Sequence, residues 1–142
     1  MTDQAIPTSP APKRTALNIT LWVLQALFAA SFLMAGSQKA FGEVSALLTT
    51  MPWVATMPLQ LVRFIGISEL LGAAGLILPA ALKIRPALTT LAAAGLAVIM
   101  LLANIFHISR GEFMALPFTL VMFVLVAFIA YGRWKLVPIA GK

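Results

Sequence analysis

The sequence predicts an all-α fold, a bundle of four transmembrane helices with both termini on the cytoplasmic side. Three observations carry this reading. Of 142 residues, 61% are hydrophobic and only 10% charged, against roughly 25% charged in soluble domains. Such a chain lacks the polar surface to cover a water-soluble globule. Its apolar residues fall into four runs of about 20, the length that crosses a bilayer core of about 30 Å. Its basic residues gather at the ends of those runs, where Lys and Arg set orientation.

Residues 1–15 place Pro7, Pro10 and Pro12 among small polar residues. They cannot bury apolar surface, so they predict a disordered cytoplasmic tail. The transmembrane domain then occupies 16–135. Its first span is 16–36, preceded by Lys13 and Arg14. This run is long for the core of a signal peptide, and Ser37-Gln38-Lys39 makes a poor cleavage site, so the span is retained. Gln25 is its one strongly polar interior residue, suited to a hydrogen bond between helices.

An outer loop, 37–60, is too polar and proline-marked to span. Within it Val44, Leu47, Leu48 and Met51 recur at the spacing of a short amphipathic helix, followed by Pro52 and an interfacial Trp53. The loop either lies on the bilayer surface or caps the bundle. The second span, 61–82, carries Arg63 at one end and Glu69 within. A carboxylate at membrane depth is costly and marks a functional-site hypothesis.

A basic turn, Lys83-Ile84-Arg85-Pro86, leads into the third span, 87–108, whose far end holds Asn104 and His107. Arg110, a capping Gly111 and Glu112 follow. The fourth span, 115–132, is nearly featureless and predicts the most lipid-exposed helix. Arg133, Trp134 and Lys135 close it at an interface, and 136–142 form a short tail.

Four spans put both termini on one side. Lys13, Arg14, Lys83, Arg85, Arg133, Lys135 and Lys142 fall there, against Lys39, Arg63 and Arg110 opposite. The positive-inside rule makes the termini cytoplasmic. The net charge of +6 therefore belongs to the membrane surface and not to nucleic acid.

Gly66, Glu69 and Gly72 share a small-residue ridge, which turns the carboxyl inward. Lys39, Arg63, Glu69, Asn104, His107, Arg110 and Glu112 all belong to the outer half of the bundle or its loops, and form the candidate polar pocket. Either Glu69 fixes helix register by pairing with Arg63, Lys39 or His107, or the group binds a headgroup, quinone or other small molecule. The chain has no cysteine and one histidine, which excludes thiol redox chemistry and a bis-histidine haem. No metal-ligand spacing and no nucleotide motif occurs.

Met34-Ala35-Gly36 with Lys39, the run from Arg63 through Gly66 and Glu69 to Gly72, Leu76 to Pro79, and Phe106-His107 with Arg110-Gly111-Glu112 resemble the DoxX-like family of small four-helix bacterial membrane proteins, related to DoxX and DoxD. The resemblance covers about 17–133. It implies an inner-membrane bundle, and relatives are linked to a thiosulfate:quinone oxidoreductase or to oxidative-stress complexes. The expectation is an accessory membrane subunit of a quinone-linked redox or oxidative-stress system. It would have no cofactor of its own (quinone apart), a redox partner protein in the bilayer, and scope for homo-oligomers. The alternative is a proton-coupled transporter, or a lipid or small-molecule binder, acting as an oligomer.

Overall fold

The computed structural model describes residues 12–142. Most of the expected N-terminal tail lies outside the described residues. Among those described, five α-helices and no strand occur. They are α1 (Pro12–Phe41), α2 (Val44–Thr50), α3 (Leu59–Leu82), α4 (Ala87–Ser109) and α5 (Leu116–Tyr131). Four segments are long and apolar enough to cross a membrane: Lys13–Phe41, Leu59–Leu82, Ala87–Ser109 and Phe113–Leu136.

The first helix departs most from expectation. It begins at Pro12, inside the stretch assigned to the tail, and runs to Phe41 instead of stopping at 36. Proline is tolerated in a first helical turn because its missing N–H has no helical partner there. At the other end, Ser37, Gln38 and Lys39 are polar without breaking a helix, so polarity ends the apolar run but not the coil. The extra turn carries Lys39 inward.

Beyond Gly42, α2 and a 3-10 turn (Pro52–Thr56) fold over the end of the bundle. Leu47 and Val54 bury against Val62 of α3, with Met51, Trp53 and Met57 packed around them. The outer loop is therefore a cap. The fourth span continues past Tyr131 into a π-helical turn, Gly132–Leu136. The C-terminal residues return to the α3–α4 turn, where the Lys142 N–H donates to the Lys83 carbonyl at 3.0 Å.

Packing follows chain order: α1 lies on α3, α3 on α4 and α4 on α5. The main core joins Leu21, Phe28 and Phe32 of α1 to Leu76 of α3, Leu96 and Met100 of α4, and Val126 and Ile129 of α5. Outward faces carry Leu27, Phe64, Leu71, Leu91, Leu102 and Phe118, all well exposed, as lipid contact requires. Only Thr119, Val126 and Ile129 of α5 are buried, so the last helix has the thinnest protein-facing side.

Candidate functional site

Two glycines set the geometry of the α1–α3 crossing. A Cβ on Gly66 would lie 2.5 Å from the Ala40 nitrogen and 2.8 Å from the Gly36 carbonyl oxygen. A Cβ on Gly36 would lie 2.9 Å from the Gly66 oxygen. Any side chain at either place pushes the backbones apart. In lipid, where no hydrophobic force drives helices together, this close approach is what packing energy needs.

The approach brings Lys39 onto Glu69. The Lys39 ammonium donates to both carboxylate oxygens, at 2.9 and 2.6 Å. Glu69 is 1% exposed and Lys39 8%, so the pair is enclosed. Arg63, six residues (about 1.7 turns) earlier on α3, does not pair with Glu69. It donates to the carbonyls of Lys39 (2.9 Å) and Gly42 (2.7 Å). These sit at the C-terminal end of α1, where free carbonyls and the helix dipole favour a cation. Arg63 thus caps the helix that carries Lys39, and α3 supplies both the acid and the cap.

The remaining expected residues form two separate sets. At the end of α4, Gly111 has φ +70°, a left-handed conformation natural to glycine. Its N–H donates to the Ile108 carbonyl and the next N–H, of Glu112, donates to that of His107 at 2.9 Å, the paired bonds of a Schellman cap. The reversal returns Glu112 onto the helix it has just left. Its carboxylate meets the His107 Nδ1 at 2.7 Å and accepts from the Arg110 Nε at 2.7 Å. The hydrogen bond from Arg110, then that from His107, holds its pKa below the ordinary carboxylate range. Phe106 completes this rim, with Arg110 over its ring at 5.4 Å and Trp53 of the cap edge-on at 6.1 Å.

Deeper, Asn104 is 7% exposed. Its amide donates to the Met100 carbonyl at 2.8 Å, and its oxygen accepts from the Thr119 hydroxyl of α5 at 2.8 Å. Glu69 and His107 are not bonded to each other: Glu69 is held by Lys39, His107 by Glu112. Among the described residues, no three His, Cys, Asp or Glu side chains converge to hold a metal. A groove of about 390 Å³ between α3 and α4, lined by Ser68, Gly72, Gly75, Ala92, Gly95 and neighbours, does not include Glu69.

A second polar centre, absent from the residues expected to form the pocket, lies at the end of the bundle where the termini are. Arg133, read as part of an interfacial rim, is 3% exposed. Its Nε donates to Gln25 Oε1 and its Nη1 to Asn18 Oδ1, both at 2.6 Å. Gln25 in turn donates to the Leu76 carbonyl at 2.6 Å. One signal pointed there. Asn18 and Gln25 are seven residues apart, two turns along one face of α1, so two polar side chains in an apolar span looked toward one partner.

Four long apolar helices, closed by buried polar contacts at both ends, define a multi-pass membrane protein. The DoxX-like family matches residues 23–129, and the chain belongs to that family. No curated protein matches the chain, and no solved structure does.

Proposed function

We propose that this DoxX-like protein is a non-catalytic, accessory membrane subunit of a quinone-linked redox or oxidative-stress system, whose redox centre resides in a partner protein. The observation that carries this reading is the Lys39–Glu69 pair. Both carboxylate oxygens are engaged by one ammonium in an enclosed site, a geometry that ties α1 to α3 and leaves neither oxygen without an internal partner. The rim group is likewise satisfied within the chain, since Glu112 is shared by His107 and Arg110. Exposed apolar residues on the same side, Phe113 (64%) and Met114 (96%), give a partner or the membrane interface something to grip.

Co-purification from native membranes in a mild nonionic detergent, with and without prior crosslinking, tests the proposal. We expect a redox protein to be retained, and its retention to fall for the double variant Phe113→Ser, Met114→Ser. A chain that always elutes alone, with no partner protein and no selectively bound quinone, overturns it. Proton-coupled transport makes a different demand: flux into liposomes that depends on a pH gradient and disappears in Glu69→Gln. We expect no such flux from either form.

A further inference from the structure

Arg133 is the one buried cation among the described residues that has no counter-charge. Its contacts are the neutral oxygens of Gln25, Asn18 and the Val137 carbonyl, while Nη2 has no partner at all. The described side-chain carboxylates belong to the opposite end of the molecule, where Lys39, His107 and Arg110 hold Glu69 and Glu112 and Glu43 precedes α2. The second buried polar atom without a partner, the Thr89 hydroxyl, begins α4 at the same end as Arg133. A guanidinium enclosed in protein without an anion is strongly unfavourable, yet the fold takes pains to place it. The π turn Gly132–Leu136 directs Arg133 inward while Trp134 and Lys135 stay exposed. Gly132 lets the turn lie against Leu21, whose methyl carbon is 2.7 Å from where a Cβ would stand. Trp22 covers the guanidinium at 5.3 Å.

We propose that Arg133 anchors a phosphate-binding site at this end of the bundle, filled by the headgroup phosphate of an anionic phospholipid in the adjacent leaflet. Guanidinium and phosphate pair through parallel charge-assisted bonds, and basic recesses between transmembrane helices suit acidic headgroups. Trp22 and Trp134 mark the depth as that of the headgroups. The Nη1–Asn18 side of the fork is only part-buried and forms the mouth, where a phosphate oxygen replaces the neutral Asn18 acceptor and completes Nη2. Inorganic phosphate presents the same oxygens without the acyl chains. This site is distinct from the Lys39–Glu69 region and does not depend on the function proposed above.

The test uses the full chain in nonionic detergent, reading thermal unfolding and lipid retention by native mass spectrometry. Phosphatidylglycerol, phosphatidylcholine and inorganic phosphate are added in separate arms. Phosphatidylglycerol is expected to raise the melting temperature and remain bound, phosphatidylcholine, whose choline cation offsets the same phosphate charge, to do both more weakly, and Arg133→Gln to weaken retention about a hundredfold, the loss of two charge-assisted bonds. An equal shift with inorganic phosphate supports the site and assigns it to the soluble anion. Should Arg133→Gln not fold, Asn18→Asp supplies an internal carboxylate: it is expected to raise the basal melting temperature and abolish the lipid shift. Three results overturn the proposal. They are a full lipid shift in Asn18→Asp, loss of the shift in Lys135→Gln/Lys142→Gln with Arg133 intact, or no effect of phosphatidylglycerol or inorganic phosphate on the wild type.

Discussion

Single side chains decide how this bundle is pinned. Removing one member of a buried ion pair leaves the other charge unpaired, a loss of about 3–5 kcal/mol, whereas replacing both with apolar residues is often neutral. Glu69→Gln and Lys39→Met are each therefore expected to lower unfolding free energy by about 3–5 kcal/mol, and Lys39→Met/Glu69→Leu to recover most of it. Denaturant titration in detergent measures this, and a Glu69→Gln protein as stable as wild type would remove the pair from its register-fixing role. Glu112 gives a different readout because it titrates in water. Its pKa is lowered in the folded state from an ordinary 4.5 by hydrogen bonds from Arg110 and His107. A depressed acid stabilises fully above its unfolded pKa and loses that contribution as pH falls through the folded value. Unfolding measured from pH 6 downward should thus show acid destabilisation beginning near 4.5 and continuing below it. Glu112→Gln should flatten that segment, and an unchanged profile counts against the assignment.

At the level of elements, what hydropathy can see and what it cannot are clearly separated. Four spans, the short amphipathic helix after the first of them and the inward ridge of Gly66, Glu69 and Gly72 were legible, because each depends on local composition and a 3.6-residue period; that this helix caps the bundle was not. The seven polar residues of the expected pocket were placed in the correct half of the molecule by the antiparallel order of the spans. Which of them touch was not legible, since partners depend on crossing distances. Gly36 and Gly66 bring Lys39, not Arg63, to the carboxylate. Nor was Arg133: an arginine beside a Trp at a span's end reads as a rim residue, and only the π turn reveals that it points inward.

The crossing itself predicts that Gly66→Ala separates α1 from α3, since its Cβ would meet backbone at 2.5 Å. Overpacking of this kind costs about 1–3 kcal/mol, and here it should also break the Lys39–Glu69 contact. Combining Gly66→Ala with Lys39→Met/Glu69→Leu should then cost less than the sum of the separate losses. Strict additivity in the same denaturant titration would show that the glycine and the pair act independently.

For the whole molecule, burial sharpens the charge asymmetry between the two ends. Counted from sequence, seven basic residues lie at the termini end and three opposite. The folded chain removes several of these from the membrane surface. Lys39 is enclosed with Glu69, Arg63 is half-buried against the α1 carbonyls, and Arg133 is buried between α1 and the π turn. Six exposed cations then remain at the termini end (Lys13, Arg14, Lys83, Arg85, Lys135 and Lys142) against Arg110 alone at the other, and Arg110 is itself neutralised by Glu112. Because the connections are short, this asymmetry acts through the positive-inside rule, so both termini are expected on the cytoplasmic side and the α2 cap on the far side. Reporter fusions at Lys142, paired with a single cysteine placed at exposed Thr49 in this cysteine-free chain, read both ends in intact cells. A cytoplasmic reporter with a cysteine labelled by impermeant reagent is the expected outcome; the reverse pattern would place the Lys39–Glu69 end of the bundle inside. Changing Lys83 and Arg85 to Gln should leave the orientation unchanged, since Lys13, Arg14, Lys135 and Lys142 still outnumber Arg110.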